Sequence, residues 1–397
     1  MTTTQDDLSS RITWSVIAEP GDRVAMQMCD TLGPALALHL ARHATPAAAL
    51  EAFGEPLPRE GKTETSSTRG ADDLTRMTEA LRRWRRRLGE NDVERIRDLA
   101  AHLGVRVLVP GDPGWPRALD DLGPWRPHCL WAHGRADAAQ LLGAGSVSIV
   151  GSRACTPYGQ DVATDMAADL ARSGLTVVSG GAFGIDAAAH RGALAVDGAT
   201  IAVLAGGLDK LFPAGNRLLL EQIRSTHLLL AESPPEAKPT RWRFLSRNRM
   251  IAALTPATVV VEAAFRSGAL STARHALEMG REVGVVPGPV TSAASAGCHQ
   301  FLRDTPATLV TDATEARELV TGIVAGSPGR GVVQDELDLL EPGDRHVLDG
   351  IPPRSSTTVQ HLASELGWQL RDVQAALGRI ELLGLLRRDG ERLRRAA

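Results

Sequence analysis

Residues 146–153 read Ser146-Val-Ser-Ile-Val-Gly-Ser-Arg153, an apolar run that stops at a glycine and places a guanidinium just past the turn. Five such residues fit a buried strand or a piece of buried helix equally well, so repetition has to decide. Leu175-Thr-Val-Val178, Thr200-Ile-Ala-Val-Leu204, His227-Leu-Leu-Leu230, Thr258-Val-Val-Val261, Glu282-Val-Gly-Val-Val286 and Thr308-Leu-Val310 follow, with helical segments between them. Short apolar runs alternating with helices are the pattern of a parallel sheet with crossover helices, and seven of them predict a doubly wound α/β sheet.

Outward from this region the pattern changes twice. Residues 11–54 carry helical apolar spacing, and the polar stretch 55–70 reads as a linker or long loop. Thr31-Leu-Gly-Pro-Ala-Leu-Ala37 suits a plain helical hairpin, or the Gly-centred turn of a helix-hairpin-helix whose amides hold a phosphate. Residues 76–145 look helical, including the basic run Arg82-Arg-Trp-Arg-Arg-Arg87, then Pro-rich, and lead into the sheet. A second linker is expected over about 313–334. Beyond it come three helical stretches and two strand-like arms around Asp389-Gly390, the signature of a β-hairpin wing. The expected domains are therefore an N-terminal helical domain with its linker (1–75), the sheet domain (76–320) and a C-terminal winged helix (335–397).

With 397 residues, 43% hydrophobic content and a formal net charge of -3, the chain can bury sizeable cores but is not a protein that coats nucleic acid non-specifically. Any nucleic-acid surface must be local. The first residues show no targeting pattern and no stretch of 18 apolar residues occurs, so a cytoplasmic protein without membrane contact is expected. Cys29, Cys129, Cys155 and Cys298 lie far apart without a C-x-x-C pair, which suits free thiols and no metal site.

In an open α/β sheet, ligands bind beyond the carboxyl ends of the strands. Here those turns are Gly151-Ser152-Arg153, Ser179-Gly180-Gly181-Ala182 running on to Asp186, Ala205-Gly-Gly-Leu-Asp209, and Glu262-Ala-Ala-Phe-Arg-Ser267-Gly268. Glycines let backbone approach a phosphate, and the helix N-termini that follow point amides at it. Between them, residues 241–249 pack Arg241, Arg243, Arg247 and Arg249 with Trp242 and Phe244 beside Asn248. Guanidinium forks match phosphate oxygens and aromatic faces stack on unpaired bases, which points to single-stranded nucleic acid. A lone cluster of this kind reads more simply as a solvated face; the surrounding phosphate-binding turns overturn that reading.

Rival functions are weaker. No G-x-G-x-x-G follows the first strand, and the second ends at Ser179 rather than at an acid for a ribose, which argues against a dehydrogenase. A nucleotide-binding or nucleotide-cleaving Rossmann enzyme related to phosphoribohydrolases is the alternative, although neither Gly-rich turn carries the threonine and spaced glutamate of that group. Asp186, His190 and Glu262 suit caps or core hydrogen bonds better than acid-base roles. No catalytic residue and no cofactor is expected.

Taken in order, Val150-Gly-Ser-Arg153, Ser179-Gly-Gly-Ala-x-Gly-Ile-Asp186 with His190, Gly207-Leu-Asp209 with Phe212-Pro213 and Asn216, Glu232, Phe244-x-x-Arg-Asn-Arg249, Val261-Glu262, Ser267-Gly-x-Leu270 with Thr272, and Pro287-Gly288 resemble the DNA-processing protein A family (DprA, also called Smf) over most of residues 76–312. The resemblance implies an extended Rossmann-like domain that binds single-stranded DNA, a homodimer, and delivery of the strand to the RecA recombinase in natural transformation. It places Arg153 on the arginine of the first turn, Arg241 where some members have a basic pocket residue, and Phe244 on the aromatic that packs against a flipped base. One departure is Gly297-Cys-His-Gln300, where many members carry Gly-Thr-Asn.

Overall fold

The computed structural model describes residues 5–58, 66–322, 340–352 and 356–395, which divide at residue 323 into two compact units. The first unit opens with α1 (Gln5–Ile17), α2 (Arg23–Leu32), α3 (Pro34–His43), α4 (Pro46–Phe53), α5 (Ser66–Glu90) and α6 (Val93–His102). Side chains set where several of these begin: Asp22, Thr45 and Asp92 accept from amides in the first turns of α2, α4 and α6. Trp14 and Trp84 meet edge to face with centroids 5.0 Å apart. Trp14 donates to Pro34 O and Trp84 to Asp22 Oδ2, so both indole N–H groups are satisfied in the core.

The expected boundary at residue 75 falls inside α5. That helix carries Met77, Ala80, Leu81 and Trp84 into one apolar core with Trp14, Trp131 and Leu229, so the N-terminal helices and the sheet are packed as a single unit. The first expected linker includes residues 59–65, which lie outside the described residues.

The sheet begins with two strands that the apolar pattern of the sequence does not mark, β1 (Arg106–Leu108) and β2 (Leu130–Gly134), joined through a 3-10 segment at Arg117–Trp125. Then α7 (Ala138–Gly143) precedes β3 (Ser146–Val150), α8 (Pro157–Arg172), β4 (Thr176–Ser179), α9 (Ile185–Ala195), β5 (Thr200–Leu204), α10 (Arg217–Thr226) and β6 (Leu228–Ala231). After these come α11 (Arg241–Leu254), β7 (Ala257–Val260), α12 (Ala269–Glu278), β8 (Glu282–Val285), α13 (Ala296–Asp304), β9 (Thr308–Leu309) and α14 (Ala313–Thr321). All seven expected runs are strands, each bounded within one residue of its place in the sequence. The sequence places the start of the second linker at about 313; α14 instead occupies it, N-capped by Asp312, and residues 323–339 lie outside the described residues.

Strand order is β1-β2-β6-β5-β4-β3-β7-β8-β9. β2 runs antiparallel to both β1 and β6, and the other seven strands are parallel. This is a doubly wound, Rossmann-like sheet. Both faces of β3 are buried and alternate cleanly: Val147 and Ile149 join the core under α8 and α9, whereas Val150 joins the core under α11 and α12. On the α11 side, the Ser146 and Ser148 hydroxyls donate to Leu254 O and Ile251 O, satisfying carbonyls that the helix end leaves open.

The second unit contains α15 (Pro342–Asp349), β10 (Thr357–Thr358), α16 (Val359–Leu366), α17 (Leu370–Leu382), β11 (Leu386–Asp389) and β12 (Arg392–Arg395). β12 lies between β10 and β11, antiparallel to both. Val347, Leu362, Val373, Leu377 and Ile380 form its core with Leu386 and Leu393 of the hairpin.

Candidate nucleic-acid interface

After β3, the chain lays β4, β5 and β6 on one side and β7, β8 and β9 on the other, so the connections leaving β3 and β7 diverge. A crevice is unavoidable at such a point. It is a cleft of about 680 Å³, walled by the turn after β3, the first half of α11 and the turn after β7.

Two glycines let these walls approach each other. A Cβ on Gly151 would lie 2.5 Å from Ile185 Cγ1, and one on Gly180 would overlap the Arg247 guanidinium. The turns are then stitched through backbone: Ser152 N donates to Glu262 O (2.7 Å), and Ile185 N donates to Ser152 O (3.1 Å). Glu262 is buried, and its carboxylate accepts from the Thr156 amide (2.8 Å) and hydroxyl (2.6 Å), fixing the start of α8. Asp186 closes the turn after β4 by accepting from Gly180 N (3.1 Å) and Ala182 N (3.4 Å). Burial raises its carboxyl above the ordinary aspartate range, against the opposing pull of Arg247 and those amides. Asn216 secures the same turn by donating to Gly181 O and Ala182 O.

The arginines divide into two kinds. Arg153 is exposed and lies over the Phe244 ring, 4.5 Å from guanidinium carbon to centroid. Arg241 is exposed on the first turn of α11, where the helix dipole disfavours a cation. Arg266, in the turn after β7, also opens on the cleft. Among the described residues none of these three has a carboxylate partner. By contrast, Arg247 is buried, donates to Val203 O at 2.6 Å, and is held down to about 10 by burial, with Asp186 opposing and Arg153 reinforcing that shift. Arg249 is 3% exposed and points away from the cleft, pairing with Glu232 at 2.8 Å and donating to Trp125 O at 2.8 Å. Arg243 is taken by Glu19.

Of the residues selected from sequence, Gly151, Ser152, Arg153, Ala182, Arg241, Phe244, Arg247, Asn248, Ser267 and Gly268 line this one cleft. Ser179, Gly180, Gly181 and Arg249 do not. Ser179 spends its hydroxyl on Ile149 O inside the sheet, and Gly180 and Gly181 belong to the turn that Asp186 and Asn216 hold. Asn248 braces the far wall by donating to Gly268 O (3.1 Å), and Ser267 Oγ accepts from Ala269 N (3.3 Å) at the start of α12. Arg266 was missed, although its signal was the one that picked out Arg153: a cation in a glycine-bearing turn at a strand end. The divergent segment Gly297-Cys-His-Gln300 lies behind the cleft wall, where Gly297 N donates to Ala263 O.

Asp186, Glu262 and His190 are all engaged in structure; the His190 ring contacts Thr200 Oγ1 at 2.7 Å through Nδ1. Among the described residues no group of three or more His, Cys, Asp or Glu side chains is placed to hold a metal ion. No helix among them is long and apolar enough to cross a membrane.

A sequence model of the DNA recombination-mediator protein A family matches residues 106–321. A protein of Mycobacterium tuberculosis is 44% identical over 306 residues, 74% of this chain and 78% of the relative. DNA processing protein DprA of Streptococcus pneumoniae is 40% identical over 193 residues, 47% and 67% of the two chains. The solved structure of the Streptococcus pneumoniae protein superposes with a TM-score of 0.59 at 26% identity, covering 80% of this chain and 98% of that one. That of DNA processing protein A from Helicobacter pylori, described for its single-stranded DNA binding mode, gives 0.50 at 28% identity over 56% and 99%. With these motifs in this order on this sheet, the chain belongs to the DNA recombination-mediator protein A family.

Proposed function

We propose that the cleft at the β3/β7 divergence binds single-stranded DNA and that the protein acts without catalysis of its own. One observation carries this reading: Arg153, Arg241 and Arg266 open on a single cleft, none of them in an ion pair among the described residues, beside the partly exposed face of Phe244; the carboxylate in the same wall, Asp186, is buried and held by Arg247 and the amides of its own turn, and reaches Arg153 only through its field. Three unpaired guanidinium groups need anions, and an aromatic face between them suits a base that has left its duplex. The description of the Helicobacter pylori relative by its single-stranded DNA binding mode supports the choice of ligand. Asp186 and Glu262 serve as braces in this reading, so neither ATP nor nucleoside monophosphates are hydrolysed.

The finer reading rests on the family resemblance. The protein works in the cytoplasm as a homodimer that protects exposed or incoming strands and loads RecA recombinase on them in transformation or recombination. In the same reading residues 335–397 are a winged-helix domain, which the helix, strand and hairpin order of α15 to β12 supports.

Counterion release makes phosphate contacts measurable. For single strands, log K falls with log salt by about 0.7 per contact. Arg153→Ala and Arg241→Ala should each flatten the slope by roughly that amount and weaken all sequences about equally. Wild-type affinity and slope in both variants would falsify the site.

A further inference from the structure

Phe244 has a second neighbour beyond the cleft. At the carboxyl end of β5 a much smaller recess is lined by Gly206, Gly207, Lys210, Phe212, Pro239 and Phe244 itself, among others. Phe212 touches Phe244, with centroids 5.9 Å apart and planes inclined at 57°, yet remains 48% exposed. A base sandwiched between two rings needs about 7 Å, two van der Waals spacings, so nothing inserts between these. The pair is a stepped platform whose outer step is the open face of Phe212.

A cation accompanies that step. Lys210 is exposed and has no hydrogen bond or ion pair among the described residues. Of the nearby carboxylates, Glu236 is gripped by Arg95 at 2.8 and 2.5 Å and feels Lys210 only through its field, and Asp209 accepts from Glu236 N. An exposed aromatic face with an ammonium beside it that is in no ion pair among the described residues, in contact with the ring proposed to hold a base, repeats the chemistry of the first site one step along the sheet edge.

We infer that this recess is a second nucleotide subsite, resting on the proposed single-strand reading. The strand leaves the cleft over Phe244, lays the neighbouring base on Phe212, and sets a phosphate against Lys210. Its path therefore crosses the carboxyl ends of the strands from β7 and β3 towards β5.

Fluorescence anisotropy with oligothymidylates of stepwise increasing length tests this on the full chain, with Phe212→Leu and Lys210→Gln. Leu keeps apolar bulk against Phe244 but removes the stacking face; Lys210→Gln alters only an exposed side chain and stays informative should the first variant fold poorly. In the wild type, the nucleotide that first reaches the recess should raise affinity about tenfold. Phe212→Leu should lose that step while binding shorter strands like the wild type, and Lys210→Gln should lower the salt slope by about 0.7 for long strands only. If both variants track the wild type at every length, the recess is off the path and the inference is wrong. If the wild type binds no length, or Arg153→Ala changes nothing, the single-strand reading fails with it, and that outcome is separately recognisable.

Discussion

Arg153 keeps its guanidinium open because the Phe244 ring supports it from beneath. Such a contact at an exposed site contributes only about 0.5–1 kcal/mol, enough to orient the side chain without locking it. The ring thus serves the arginine and, in the proposed reading, a base. Phe244→Ala should weaken single-strand binding by about 1–3 kcal/mol with the salt slope nearly unchanged. A melting curve run beside the titration checks the cause, since a core role would lower stability along with affinity. Arg249 is the opposite case. Its ion pair with Glu232 is buried, and removing one partner leaves an uncompensated charge. Arg249→Ala should cost about 3–5 kcal/mol of unfolding free energy while the salt slope stays at the wild-type value; a flattened slope would mean that Arg249 reaches a phosphate.

At the scale of elements, α11 is the part on which the site is mounted. Arg243 binds it to Glu19, Ser246 to Pro20 O, Arg247 to the end of β5 and Asn248 to the turn after β7. Held on several sides, its first turn presents Arg241 and Phe244 without the entropy cost of ordering a loop. Helix α9 is secured differently. Thr200 Oγ1 donates to Val177 O, so His190 Nδ1 must donate to Thr200 Oγ1, and the neutral ring ties α9 to β5 and β4. Burial, aided by Arg247 and Arg191, pushes His190 down to about 3, and His128 is pushed equally low by burial and Arg11. The unfolded chain takes up these protons near pH 6.5. The stabilisation is therefore complete above that pH and is lost as pH falls. Denaturant titrations between pH 6.5 and 5 should show stability declining with a slope that approaches about 1.4 kcal/mol per pH unit for each histidine. His190→Gln should remove one such contribution; an unaltered slope would contradict the buried neutral ring.

For the molecule as a whole, the cleft is built entirely by the first unit, from strand-end turns and α11. The second unit has its own core. Deleting residues 335–397 should consequently leave single-strand affinity within a few-fold, and a hundredfold loss would show that the DNA site had been misplaced. No equivalent cut is available at residue 75, because α5 crosses that point and shares its core with the sheet.

Local pattern was sufficient for the seven parallel strands, the crossover helices and the glycine turns at the strand ends, because period and β-branched runs are properties of adjacent residues. From those alone followed the Rossmann-like sheet and the place of its crevice. β1 and β2 escaped because the first is three residues long and the second, Leu-Trp-Ala-His-Gly, has no β-branched residue; they are strands by pairing with each other and with β6. Which arginines remain free was likewise beyond the sequence. Arg241, Arg243, Arg247 and Arg249 look interchangeable in the chain, and only the folded structure sets Arg243 against Glu19, 224 residues away, buries Arg249 on Glu232, and leaves Arg241 facing the cleft beside Arg153. A charge is committed or available according to what tertiary packing places beside it, and that neighbour is not written in its own stretch of sequence.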